Sequence, residues 1–490
     1  MRTIPELGIG IVYHGGIDAL VEKTIDLIDV IELEPQTIWY KESITDNTFK
    51  YDVTIVERLK SLARPMIFHG VGFPVGGTKP PDRSQIPTMK ELIRELRPLW
   101  MSEHLSFNTV RDSEGVTFNT GFLLPPRQTH DGMSYAITSV QSMQKDIGLP
   151  FAFETGVSYL KPLPDELPDG EFIAGIANGA DCFLLLDLHN LLANELNGRQ
   201  PVKEFLNQTP LERVIEIHIA GGFHHNGYYL DAHSGVSSDV LLKLTEETAS
   251  LCPNLKAIIF EMLPEYSSTV TVSELRTHFE HMRGVWQKHG TSSMGPTMPK
   301  RANTSHEAKY SPGEWEFALG HLVVGRDPGT RLGYELASDP GIQIVRELLF
   351  HFRASMIVST LKLSTRLLRL SLGETAFENL LKRSMEERYP EAFPFVAAEQ
   401  FIGFLKEQVL DVRYLNDVIA FEEASIRTTM DKESRTVSFD FNPLPLFQAL
   451  GRSELPVGVF DALAMQIEIK PDEQIENMDD VFMFRPALHN

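Results

Sequence analysis

Short apolar runs recur through the first half of the chain, each closed by a polar residue and followed by a segment of helical spacing. Leu7 to Val12, Val30 to Glu34, Met66 to His69, Leu99 to His104, Phe151 to Glu154, Phe183 to Asp187, Val214 to His218 and Ala257 to Glu261 read as strands. Between and after them, Ile17 to Leu27, Tyr51 to Ala63, Pro87 to Leu96, Ser134 to Ile147, Gly170 to Asn178, Val202 to Leu206, Ser237 to Thr248 and Val272 to Gln287 carry apolar residues at helical spacing. Eight strands with helical connections over about 290 residues predict an α/β fold of the TIM (β/α)8 type. A doubly wound sheet is the structural alternative, but it gathers its ligands near one switch point rather than at many strand ends.

From His289 to Pro312 the composition turns to Gly, Ser, Thr, Pro and Lys with little apolar periodicity, as in a linker. Beyond it, Gly341 to Leu370, Ala376 to Arg388, Ala397 to Leu410 and Asp411 to Ser425 are helical in pattern. Strand-like alternation returns between Thr428 and Phe484. The expected organisation is a barrel over 1–288, a linker over 289–312 and a mostly helical α+β domain over 313–490.

Composition narrows the classes. A length of 490 residues with 42% hydrophobic content supports a large core and more than one domain. A net charge of -22 repels polyanions and argues against a nucleic-acid substrate. The two cysteines, Cys182 and Cys252, lie in or near apolar stretches, which predicts core residues in a reducing compartment rather than a disulfide framework. The N-terminus lacks a signal core, and no run reaches the roughly 20 apolar residues of a membrane helix. A cytoplasmic protein that engages neither membrane nor nucleic acid is expected.

The residues that close the runs carry the chemistry. His69, His104, Glu154, Asp187, His218 and Glu261 stand at successive strand ends, with Asn190 just after Asp187 and Asp231 and His233 between the last two strands. A TIM barrel places its catalytic groups at the C-terminal ends of strands. Imidazole nitrogen mixed with carboxylate oxygen suits iron, manganese or zinc. One ion uses about four to six donors, so this inventory suggests roughly two or three ions, with Glu154 and Glu261 able to bridge. Glu32 and Glu34, at the end of the second strand, could contact substrate or the histidines. His189 is read as a supporting or structural residue, and His224 and His225 fall in a Gly-rich loop.

These residues resemble the multinuclear non-heme iron-dependent oxidases, the family that includes the methanobactin biosynthesis enzyme. The resemblance covers roughly Leu7 to Glu261. It is carried by Phe68-His69-Gly70-Val71, Ser102-Glu103-His104-Leu105, Leu186-Asp187-Leu188-His189-Asn190, Glu216-Ile217-His218-Ile219-Ala220-Gly221 and Asp231-Ala232-His233. It implies two or three irons in mixed Fe2+/Fe3+ states, dioxygen as oxidant and a ribosomal precursor peptide as substrate, often modified at cysteine. In that reading all nine donors hold metal, and His69, His104, Glu154, Asp187, His218 and Glu261 are catalytic. The ligand order also resembles endonuclease IV, a zinc phosphodiesterase, in which a histidine stands at the place of Asn190. A zinc or manganese hydrolase and a sugar isomerase of the same fold are the rival expectations. The C-terminal half resembles the partner proteins of these oxidases through Leu372-Gly373-Glu374-Thr375-Ala376-Phe377, Tyr389-Pro390, Phe401-Ile402-Gly403-Phe404-Leu405 and Tyr414-Leu415-Asn416-Asp417-Val418 with Phe421-Glu422. That resemblance implies a peptide-recruiting role.

Overall fold

The computed structural model describes residues 4–41, 48–80, 82–289, 308–391, 393–455 and 463–471. Eight parallel strands close into a barrel: β1 (Gly8–Tyr13), β2 (Val30–Leu33), β3 (Met66–Gly70), β4 (Met101–His104), β5 (Phe151–Glu154), β6 (Phe183–Asp187), β7 (Val214–Ala220) and β8 (Ala257–Glu261). Around them run α1 (Asp18–Thr24), α2 (Val53–Ser61), α3 (Ile86–Leu96), α4 (His130–Ile147), α5 (Asp169–Ala180), α6 (Leu188–Leu196), α7 (Val202–Gln208), α8 (Asp239–Ala249) and α9 (Val272–His289). The expected barrel is present.

Alternation along the strands sorts the side chains into layers. Ile9, Ile11, Ile31, Phe68, Phe153, Leu186, Ile217 and Phe260 face outward and pack with the helices. Val12, Val30, Ile67, Trp100, Ala152, Leu185 and Ile259 fill the barrel floor. Side chains repeat every second residue, so the position two further on lies on the same face and nearer the C-terminal mouth. Those positions hold His14, Glu32, His69, Ser102, Glu154, Asp187 and Glu261, and on β7 Glu216 and His218 alternate in the same way. An apolar floor with a polar layer above it follows from period two alone.

Local chemistry moves some boundaries. The helix expected from Tyr51 starts at Val53, because the Asp52 side chain accepts from Thr54 N and Ile55 N and caps it. Phe49–Tyr51 instead pairs with Trp39–Lys41 as a hairpin. Helix α6 was not expected. It begins directly after Asp187, whose carboxylate accepts from Asn190 N at 2.8 Å. Two further hairpins, Phe107–Arg111 with Thr117–Leu124 and Phe223–His225 with Tyr228–Leu230, extend the loops after β4 and β7.

The C-terminal region continues with α10 (Pro312–Val323), α11 (Arg331–Ala337), α12 (Pro340–Thr360), α13 (Lys362–Leu372), α14 (Glu374–Glu387), α15 (Pro394–Glu407), α16 (Leu415–Asp431) and α17 (Leu444–Gly451). Arg435–Phe439 pairs antiparallel with Met465–Ile469 within the stretch where alternation returned. Most of the expected linker, residues 290–307, and the end of the terminal stretch beyond 471 lie outside the described residues. Among the described residues no helix is long and apolar enough to cross a membrane.

Helices α10 and α12 pack against the barrel loops. Trp315, Leu319, Val323, Ile342 and Leu349 share one apolar cluster with Phe107, Phe118, Leu124, Tyr159 and Leu230. Polar contacts border it: Glu316 accepts from Thr78 N, Trp315 Nε1 donates to Pro125 O at 2.9 Å, and Asp339 accepts from Lys161 N at 2.9 Å. Tyr389 stacks on Phe118 at 4.3 Å and donates to Asp112 at 2.9 Å. The rest of the region has its own core, which includes Met356, Leu367, Phe401, Val418 and Leu446.

Trp315, 2% exposed, is the largest side chain that α10 places in this joint. Trp315→Ala should cost about 3–5 kcal/mol, read from denaturant unfolding. Val409→Ala, at a fully exposed position, should change stability by less than about 0.5 kcal/mol. Equal effects from the two would contradict the joint.

Candidate metal centre

All nine expected donors meet at the C-terminal mouth of the barrel. His69 Nε2 and His104 Nε2 lie 3.3 and 2.9 Å from Glu154 Oε2. His218 Nδ1 is 3.4 Å from Glu261 Oε2, and His233 Nδ1 is 3.4 Å from Glu261 Oε1. His233 Nε2 is 2.8 Å from Asp231 Oδ1, and Asn190 Nδ2 donates to Glu154 Oε1 at 3.2 Å. Of five groups among the described residues whose donor atoms lie within 4.8 Å of one another, three are built only from the nine: His69, His104 and Glu154; Glu154, Asp187 and His218; Asp187, His233 and Glu261. Glu154 links the first group to the second, and Asp187 links the second to the third. The arrangement is a chain of neighbouring positions joined by shared carboxylates.

The backbone aims several of these groups. His104 Nδ1 faces the Gly70 carbonyl at 3.0 Å, and a carbonyl can only accept. That nitrogen therefore carries the proton and Nε2 turns inward. His69 Nδ1 meets Ser102 Oγ at 2.8 Å, which leaves its Nε2 for Glu154. His233 sits at φ 46°, a left-handed conformation that costs a non-glycine residue about 1–2 kcal/mol. The loop holds it there between Asp231 and Glu261.

A family described as "RiPP precursor modification enzyme MbnB/TglH/ChrH" matches residues 24–281, just over half of the chain. The chain belongs to this family. Curated relatives are UPF0276 proteins. One, from Streptomyces avermitilis, is 26% identical over 51% of this chain and 50% of its own length, so the chain spans about half of that relative. Another, from Anaeromyxobacter sp. (strain Fw109-5), is 26% identical over 47% of this chain and 80% of its own. A third, from Chromobacterium violaceum, is 28% identical over 45% and 78%. Among solved structures, similarity is found to a D-psicose 3-epimerase from Clostridium cellulolyticum H10. That match is 10% identical over 58% of this chain and 97% of the other, with a TM-score of 0.36. The chain is also similar to a xylose isomerase domain-containing protein from Salmonella typhimurium LT2, at 11% identity over 59% and 100%, with a TM-score of 0.38.

The residues of this family member fit a cluster of metal ions. Glu154 Oε2, Asp187 Oδ2, Asn190 Oδ1, Asp231 Oδ1, His233 Nε2 and both His218 nitrogens are buried without a hydrogen-bond partner. Several lie 2.8–3.4 Å from a neighbouring donor atom, so imidazole nitrogens and carboxylate oxygens converge on common points, as a metal's donors do. Among the described residues, every ion pair of Glu32, Glu154, Glu216, Asp231 and Glu261 is with a histidine, never with Lys or Arg. Buried carboxylates need a compensating cation. With no metal bound, protons on the histidines take that part.

Burial alone would depress the histidines, but neighbouring carboxylates outweigh it. Glu154 and Glu103 hold His104 well above the usual range, and Glu32, Glu216 and Glu261 do the same for His218. Asp231 and Glu261 raise His233. The carboxylates separate. Burial would raise Glu154, but His104 and His69 hold it well below its usual range, whereas burial and the Glu154 and Asp231 charges push Asp187 well up.

Other side chains fall into place around these donors. Glu32, on the floor side, is 2.8 Å from His218 Nε2, and burial together with Glu216 pushes it up to about 7. Trp100 Nε1 donates to Glu216 Oε2 at 2.8 Å. His189 is fully buried with Nε2 3.6 Å from Asp231 Oδ1, and burial lowers its pKa. Gly222 lets that ring in, since a Cβ there would come within 2.5 Å of His189 Cε1. His224 and His225 are exposed on the hairpin after β7, the latter 3.4 Å from Glu347 of α12. Cys182 and Cys252 are buried and unpaired in the core, and burial pushes the Cys182 thiol up to about 12. Sequence reasoning missed His14 because it closed the first strand at Val12. Carried to Tyr13, that run ends on a histidine as others do.

At pH 7 the metal-free protein should carry protons on His104, His218 and His233, because their pKa values are raised. Metal addition should release those protons, one from each ring, measured by titration in weak buffer. Binding without proton release would contradict this electrostatic account.

Proposed function

We propose that this family member is a multinuclear iron-dependent oxidase that uses dioxygen to modify a side chain, a cysteine in the favoured case, of a ribosomal precursor peptide. The observation that supports this most directly is the sharing of Glu154 and Asp187 among three donor groups. A mononuclear site has no use for that surplus. The family match supports the peptide as substrate. Bound iron would supply the one-electron chemistry with dioxygen that side-chain oxidation needs.

The chain's own residues do the rest. His69, His104, Glu154, Asp187, Asn190, His218, Asp231, His233 and Glu261 would hold the ions in roughly two or three positions. Asn190 steadies the shared Glu154 carboxylate through its 3.2 Å hydrogen bond. Ser102 and the Gly70 carbonyl fix two ring orientations, so donor geometry exists before metal arrives. The hairpins after β4 and β7 extend the loops at the mouth, where a peptide would enter. The C-terminal region, by its resemblance to the partner proteins, is assigned peptide recruitment. Holding a peptide on the same chain raises its concentration at the mouth to roughly the millimolar range.

Protein purified without oxygen after iron-replete expression should carry more than one iron per chain and should consume dioxygen when given its peptide. One equivalent or less would count against the multinuclear reading. Zinc or manganese with phosphate-ester hydrolysis would favour the hydrolase instead. His218→Ala should abolish turnover, and because the buried ring is the countercharge of Glu32, Glu216 and Glu261 the metal-free variant should also unfold at a lower denaturant concentration. Full turnover in that variant would remove His218 from the site.

A further inference from the structure

The nine donors come from β3 to β8 and their loops; β1 and β2 contribute none. The polar layer nevertheless continues around the barrel. His14 stands two residues beyond Val12 of the floor, and Glu34 stands four residues beyond Val30, just past the end of β2. One donor atom each from His14, Glu34 and Glu261 lies within 4.8 Å of the others. His14 Nδ1 is 3.8 Å from Glu34 Oε2. The three residues are 6%, 8% and 5% exposed, respectively. His14 Nε2 is itself buried and has no hydrogen-bond partner. Most buried side-chain nitrogens meet a donor or an acceptor.

We propose that His14, Glu34 and Glu261 hold a further divalent first-row transition-metal ion on the β1–β2 side of the mouth. One imidazole with two carboxylates is a donor set that such ions accept, and three protein ligands leave coordination positions open. Glu261 is the joint between this position and its neighbours, since Oε1 faces His233 and Oε2 faces His218. The inference rests on the neighbouring groups holding metal, and it does not depend on which metal or which reaction.

The test is an anaerobic titration of the metal-free full-length chain with Fe2+. Co2+ is used in parallel because its visible absorption reports each site. Wild type is compared with His14→Ala and Glu34→Gln, with thermal unfolding of the metal-free forms as the folding control. After desalting, wild type should retain one equivalent more than either variant, and the corresponding part of the cobalt spectrum should be missing from both. Glu34→Gln is nearly isosteric and keeps the test available if His14→Ala fails to fold. Equal equivalents and identical cobalt spectra in the three proteins would overturn the site. Oxygen consumption with peptide, measured on the iron-loaded samples, separates the two claims. A lost equivalent with no oxygen consumption in wild type supports the site and sinks the oxidase reading. Equal equivalents with undiminished oxygen consumption do the reverse.

Discussion

Buried negative charge without Lys or Arg is the constraint from which the rest of the structure can be read. Glu32, Glu154, Asp187, Glu216 and Glu261 are each no more than 5% exposed and repel one another, and the groups among the described residues that can offset their charge are histidines. Taking a carboxylate out of water costs several kcal/mol. An apolar core would not tolerate that many without a countercharge. Protonated histidines can supply it when metal is absent, and metal ions supply it more strongly. The raised histidines and depressed Glu154 are two views of the same demand for positive charge.

The barrel meets this demand by keeping the polar layer off its floor. Period two along each strand places Val12, Val30, Ile67, Ala152, Leu185 and Ile259 beneath the charged groups, in a rigid apolar plug. Loops are softer, and the Asp231–His233 pair lies on one. Its surroundings are accordingly tied down. Asp231 N donates to Tyr159 OH at 3.1 Å, and Tyr159 packs in the cluster shared with α10 and α12. The helical C-terminal region therefore braces a loop that carries two donors, whatever else it does for the substrate.

Much of this was legible in the sequence, for a physical reason. Strands buried on both faces write continuous apolar runs, and a mouth-facing candidate donor ends those of β3 to β8, so His69, Glu154, Asp187 and Glu261 announce themselves. What the sequence hid lies where local hydrogen bonds override periodicity. Helix α6 follows β6 without a break because Asp187 caps it, and its 9 residues are too few for helical spacing to stand out. Asp52 in the same way ends a hairpin and starts α2. The buried partnership of Glu32 and Glu216 around His218 is likewise invisible from one chain position, since it needs the closure of β2 against β7 across the barrel. The packing of α10 on the loops after β4 and β5 joins residues far apart in sequence, which no local pattern encodes.

The central claim is that the orphaned donors at the barrel mouth are occupied by several metal ions in the working protein. The most direct measurement is a crystal structure of anaerobically purified protein with anomalous difference maps collected on both sides of the iron absorption edge. The account predicts more than one iron peak, one beside Glu154 with His69 and His104 and another reached by Asp187. A single peak, or none with the same side chains hydrogen-bonded to one another and to water, would contradict it.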